Sequence, residues 1–273
     1  MPRTVQYGWQ IALFDAMKIT DASFRELVFF RSFSGLRAEA ARYYLGFAWW
    51  IIEPILFMIA LYVVFAVLLQ RGTEDFVVFL LVGIVTWQWF AGVVRHSAAS
   101  IWSAGAIMTQ VRVPKLFFPA VTIFMDTAKF FVAFFLLVTF IWFYGIPPGP
   151  AYPALFFVLL VQFLFIAAAA LLVAMAVPFL PDLRFAVESL LHFLFFFSGI
   201  FFDVNTVPKD YQWLIQINPM TQLIDAHRAI LIHGIQPSWS SLLWIGSVSV
   251  IMLIFLALVL TRMDQVYPRL IKI

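Results

Sequence analysis

The 273-residue sequence contains no cysteine, which excludes disulfides, thiolate nucleophiles and cysteine-ligated zinc. Charge is scarce too: Asp, Glu, Lys and Arg make up 11% of residues, against about 25% in a soluble domain. No Gly-x-x-x-x-Gly-Lys-Ser/Thr phosphate loop occurs, so the chain has no ATP site of that kind. His96, His192, His227 and His233 stand apart, never in a His-Glu-x-x-His pattern. There is no Ser-His-Asp set, no Asp-x-Asp pair and no His-x-x-x-Asp pair to build a catalytic centre. An enzyme reading has nothing to rest on, and no metal or cofactor is expected on this chain. The first 45 residues also lack the apolar core of about 7–15 residues that marks a secretory leader. The N-terminus is therefore expected to stay in the cytoplasm.

What is present is apolar. Hydrophobic residues make up 64% of the chain and aromatics 19%, a composition that reads as an all-α polytopic membrane protein. The net charge of +3 is no nucleic-acid signature, because the basic residues cluster in loops. A helix needs about 20 apolar residues to cross a bilayer. Six stretches qualify: Gly46–Leu69, Phe76–Val94, Phe118–Tyr144, Pro153–Pro178, Phe185–Phe202 and Leu242–Thr261. With both termini inside, thirteen of the seventeen Lys and Arg fall on the inner side. Arg71, Lys209 and Arg228 fall outside and Lys129 within a span, so the positive-inside rule predicts N-in, C-in.

The connections are unequal. Residues 70–75 and 145–152 are tight outer turns, the second punctuated by Gly145, Pro147, Pro148, Gly149 and Pro150. Residues 95–117 read as a long inner loop. The outer segment 203–240 is too apolar for a solvated loop. Its helical spacing, split at Asn218-Pro219, predicts two short re-entrant helices that must be buried against protein, since lipid does not tolerate bare backbone.

A charged run meets the first span at Arg42–Pro54, where Tyr43, Tyr44, Trp49 and Trp50 are the rings expected at headgroup level. Before it, Thr20 or Asp21 is a helix N-cap and Ala22 to about Phe33 reads as an amphipathic interface helix ended by Ser34-Gly35. Such a helix lies in the headgroup layer, contacts a cytoplasmic partner, or both. The organisation is thus 1–45, a cytoplasmic N-terminal region, and 46–273, a six-span membrane domain.

Charges inside spans are expensive and call for an explanation. Asp126 and Lys129 share one face of the third span, as an internal ion pair or as a proton or ion relay. Arg184, Glu188 and His192 form a ladder on the fifth span that steadies it or meets cargo. The dense rings Phe193, Phe195, Phe196, Phe197, Phe201 and Phe202 are lipid-facing bulk or the lining of a passage, where ring faces suit the apolar faces of sugars.

Four separated patches stand out: Leu45-Gly46-x-x-Trp49-x-x-x-x-Pro54; Val111-x-Val113-Pro114-Lys115-x-x-Phe118-Pro119; Pro181-Asp182-Leu183-Arg184; and Ser198-Gly199-Ile200-Phe201-Phe202, followed by Val207-Pro208, Trp213, Asn218-Pro219-Met220, Leu223-Ile224, Arg228 and Gly234. Together they resemble the ABC-2 type exporter permeases, in particular the branch that moves capsule, O-antigen and teichoic acid. The second departs from that branch's commoner Phe-Pro-Lys order. The resemblance implies a homodimer in the bacterial inner membrane, joined to two separate ATPase subunits that hold the ATP and Mg. It implies that Arg25, Glu26 and Arg31 dock the ATPase, and that Trp102, Gln110, Arg112, Pro114 and Lys115 belong to the coupling region. Spans one and five would line the path, with Trp50, Phe57, Phe193, Phe197 and Phe201 facing it. Pro208, Trp213, Asn218, Pro219 and Arg228 would form the outer gate.

The expected function is export of a lipid-linked or lipid-anchored cell-surface polysaccharide, with an envelope-spanning export partner as a further possibility. Two alternatives differ from it: an ABC-2 permease for a small amphiphile such as a drug or haem, and an ion-coupled secondary transporter using Asp126 and Lys129.

Overall fold

One long helix organises the molecule because its first turns have almost no polar side. Among residues 76–94 only Thr86 and Gln88 are polar apart from the tryptophans, and a helix apolar all round has to be covered all round. The structure, a computed structural model, describes residues 21–42, 48–68, 70, 75–110, 113–263 and 266–270, and these are helical with no strand. The helices in chain order are α1 (Asp21–Arg42), α2 (Trp49–Tyr62), α3 (Phe76–Ser103), α4 (Gly105–Gln110), α5 (Phe117–Tyr144) and α6 (Leu155–Ala176). They continue with α7 (Leu183–Phe197), α8 (Lys209–Gln216), α9 (Pro219–Leu231), α10 (Trp239–Arg262) and α11 (Tyr267–Leu270).

α3 is the central post, with 78% of its most apolar stretch buried, against 17–39% for α5, α6 and α10. α5, α6, α2, α7 and α9 pack around it. Val78, Leu80, Val82, Ile84 and Val93 are sealed in the main core, which α9 closes at one end with Leu223, Ile224 and Ile230. That end is called apical here. A second core at the basal end joins Ile101 and Met108 to Leu171, Met175, Leu256, Leu260 and Tyr267. Tyr267 pins α11 there, its hydroxyl donating to Met175 O at 3.4 Å.

Among the described residues four helices are long and apolar enough to cross a membrane: α3, α5, α10, and α6 with the 3-10 turn before it. The other two expected spans are shorter. α2 has 14 α-helical residues and widens into a π-helical turn, Val63–Leu68. α7 stops at Phe197 rather than Phe202, giving 15 residues, or about 22 Å. The cause is local: Ser198 leaves the helix and Gly199 turns at φ +65°, which side chains with a Cβ rarely adopt.

Two further boundaries correct the sequence reading. α1 runs through Ser34-Gly35 to Arg42. Gly35 is no terminator; its missing Cβ lets α1 close on Met125, whose Sδ and Cε would lie 2.8 Å from one. Residues 95–103, read as loop, extend α3 to Ser103. Polarity marks where an apolar span ends, but it does not break backbone hydrogen bonding. The α5 terminus at Gly145 (φ +109°) and the α8/α9 break at Asn218 fall where the sequence places them.

The expectations for residues 1–20 and for Leu45-Gly46, Arg71 and Arg112 lie outside the described residues, as do the side chains of Trp50, Pro54 and Gln110.

Candidate functional site

Three regions hold the residues that the sequence singles out. At the basal end, Arg25, Glu26 and Arg31 are exposed on α1. Beside them Phe29, Phe30 and Phe33 are 60%, 73% and 50% exposed, forming an apolar face framed by charge. Arg37 lies 4.6 Å over the Phe33 ring. α4 sits on the basal core through Met108, with Trp102 half-buried at the end of α3 and Pro114 half-buried beyond. Lys115 is not a surface contact: it is 5% exposed and its Nζ donates to Val113 O at 3.0 Å.

On one flank, α2 and α7 meet through rings. Phe57 lies 6.2 Å from Phe195, and Phe65 stacks on Phe201 at 4.9 Å. Phe193 stacks on Phe197 at 4.6 Å. Phe57 and Phe201 thus meet through Phe195, while Phe193 and Phe197 pair with each other on the other side of α7. Phe57, Phe193 and Phe197 are exposed. Phe201 is half-buried among Phe65, Phe195 and Phe196, past the helix end.

At the apical end, α9 is inserted and α8 is not. Met220, Leu223, Ile224, His227, Arg228, Ile230 and Leu231 are buried, whereas Tyr211 and Trp213 on α8 are each 63% exposed. Pro208 caps α8 and is exposed. Asn218 caps α9, its Oδ1 accepting from Met220 N at 3.0 Å, and Pro219 occupies the first helical position that suits it. Asn218 Nδ2 also donates to Ser198 Oγ at 2.8 Å, and Thr221 Oγ1 to Phe197 O at 3.3 Å.

Arg228 corrects the sequence reading most sharply. It was expected as an outer-gate residue, yet it is 3% exposed inside the protein. Its Nη1 donates to Gly199 O and its Nη2 to Ile200 O, both at 2.7 Å. Nε and Nη2 reach Phe79 O at 3.3 and 3.1 Å, and the guanidinium lies over the Phe79 ring. The last turn of a helix leaves carbonyls without partners, and a guanidinium carries five donors in a fixed fork. Arg228, Asn218 and Thr221 therefore take over the broken end of α7 and fasten it to α9 and α3. Gly83 makes the space: a Cβ there would meet Arg228 Nη2 at 2.7 Å.

The charged pair of the third span has more partners than the sequence indicates. Lys129 Nζ lies 3.2 Å from Asp126 and 2.7 Å from Glu39 of α1, while Asp126 meets His96 Nδ1 at 2.7 Å. The Arg184 ladder does not form as drawn. Glu188 pairs with Arg95 of α3 at 3.4 Å, and Arg184 lies over the Phe185 ring. Glu39, Phe79, Gly83 and Thr221 were missed by sequence reasoning. Their partners are distant in the chain, 90 residues for Glu39 and 149 for Phe79, so no local pattern marks them.

Known proteins align with most of this frame. The chain is 27% identical over 223 residues to the O-antigen export system permease protein RfbA of Myxococcus xanthus, covering 80% of this chain and 85% of that protein. RfbA of Klebsiella pneumoniae is 24% identical over 191 residues, covering 70% and 74%. The polysialic acid transport protein KpsM of Escherichia coli is 25% identical over 256 residues, covering 91% and 95%. The family described as ABC-2 type transporter matches residues 37–232.

Proposed function

The chain belongs to the ABC-2 type transporter family, and on that premise we propose that it is the membrane subunit of an ABC exporter for a cell-surface polysaccharide. The observation that carries this reading is similarity along 70–91% of the chain to permeases named for O-antigen export and polysialic acid transport. The protein is a multi-pass protein of the inner membrane. It works with a separate ABC ATPase, which supplies the hydrolysis that its own sequence has no loop to perform. ATP and Mg sit on that partner.

In this reading the basal end is cytoplasmic, the apical end is outer, and both termini lie inside. The four long helices are joined by α2 with its π-turn, 20 residues or about 30 Å, and by the shorter α7, whose depth α9 completes. The exposed charged and aromatic face of α1, with α4 beside it, receives the ATPase. Two copies assemble through the flank of α2 and α7, whose exposed rings then line a common path. Smooth ring faces suit a lipid-linked polymer that slides without a fixed site. Delivery to an outer export partner follows translocation.

The test is deletion and complementation. Loss of the chain is expected to remove polysaccharide from the surface of intact cells. Phe197→Asp, at a position that is already exposed, is expected to assemble with the ATPase and stall export. Export that continues with a hydrolysis-dead ATPase as the only one present would end the reading.

A further inference from the structure

A chain of charges joins three helices in the basal half of the molecule. Lys129 of α5 holds Glu39 of α1 at 2.7 Å and Asp126 at 3.2 Å, and Asp126 in turn meets His96 of α3 at 2.7 Å. Along α3 the cluster lies toward the basal end, His96 following the apical start by 20 residues, about 30 Å, while Lys129 stands near the middle of α5, twelve residues past its basal start. The side chains of Lys129 and Asp126 are 16% and 9% exposed, so their attraction is only weakly screened by salt. Below the cluster α1 and α5 run side by side in the same direction. Phe24 meets Phe117, Phe29 meets Phe124, and Ser32 Oγ reaches Val121 O at 3.4 Å. One seam with one register runs from there up to Glu39 and Lys129.

We propose that Lys129 is a positioning residue of the transport cycle. It clamps α1 to α5 and, through Asp126 and His96, to α3, so that a push on α1 moves the basal ends of α5 and α3 as one body. This rests on the proposed function, in which α1 receives the push from the ATPase. An ammonium is a compact cation with three donors, and here it separates two carboxylates. A neutral side chain at 129 leaves Glu39 and Asp126 to repel across the seam, and α1 then moves without the helices it should carry.

The experiment uses the full chain with its ATPase, in cells lacking their own copy. It reads ATPase co-purification, ATP hydrolysis by the complex, and polysaccharide on intact cells. Lys129→Met is expected to keep docking and hydrolysis within about twofold while export falls about tenfold, and Lys129→Arg to restore export. Because the chain has no cysteine, Ser32→Cys with Val121→Cys places a unique thiol pair across the seam. Bridging that pair by oxidation or a short bis-maleimide is expected to preserve export and to rescue Lys129→Met.

Export stopped by the bridge would mean that α1 must move against α5, and the proposal falls. It falls equally if Lys129→Met exports at the wild-type level. Should Lys129→Met fail to assemble, its bridged form decides: export from it supports the clamp, and none overturns it. A wild-type chain that recovers no ATPase would instead defeat the proposed function.

Discussion

The two ends of the molecule are fastened in different ways. At the apical end one buried guanidinium and the Thr221 hydroxyl bind backbone carbonyls at the break between α7 and α9, and Asn218 binds the Ser198 hydroxyl. In the basal half α1 is held by side-chain charges, with the His96 side chain about half exposed. Backbone carbonyls in an apolar setting have no substitute partner, because neither lipid nor water can take over. Side-chain carboxylates, unlike backbone carbonyls, can exchange one cation for another. The apical joint is therefore suited to permanence and the basal joint to transmission, although each depends on one cation.

The difference can be broken first at Arg228. Arg228→Met is expected to leave carbonyls unsatisfied at a cost of about 1–3 kcal/mol each, seen as loss of monodisperse protein after extraction and a lower unfolding temperature. Arg228→Lys is expected to rescue little, since an ammonium cannot reproduce the fork. Gly83→Ala comes next. It pushes a methyl group into the same guanidinium and should cost about 1–3 kcal/mol by overpacking, and finding it neutral would show that Arg228 has slack. Asn218→Ala removes a cap and the bond to Ser198, for about 1 kcal/mol, measured by the same unfolding assay.

The smallest effect on stability is expected at the basal end. Arg25→Glu, on an exposed face, should change unfolding by less than about 0.5 kcal/mol while weakening ATPase co-purification. Equal losses of stability at Arg25 and Asn218 would erase the contrast between the two ends.

Local signals were legible in the sequence and long-range ones were not. Gly145 ends α5, and Asn218-Pro219 separates α8 from α9, where turn and cap chemistry predict. The aromatic flank was legible as a cluster, though Phe201 sits past the helix end. Gly35 misled because a glycine can mark a helix end or a close approach, and only Met125, 90 residues on, distinguishes them. Arg228 was read as one of the outer basic residues and as part of the outer gate. Its purpose depends on Phe79 and Gly83, which no window of neighbouring residues contains. Lys115 looked like a surface cation because its sequence neighbours do not reveal that it folds back on Val113.

The 149 residues between Phe79 and Arg228 also impose an order on biogenesis. At roughly 5–20 residues per second, the ribosome delivers the guanidinium about 7–30 s after the notch that will hold it. During that interval the Phe79 carbonyl and the space beside Gly83 wait without the guanidinium, and α9 arrives late, with α10 and α11 still to follow. A variant that slows or misroutes this late insertion would fail as a newborn chain, even where the finished protein would have tolerated it.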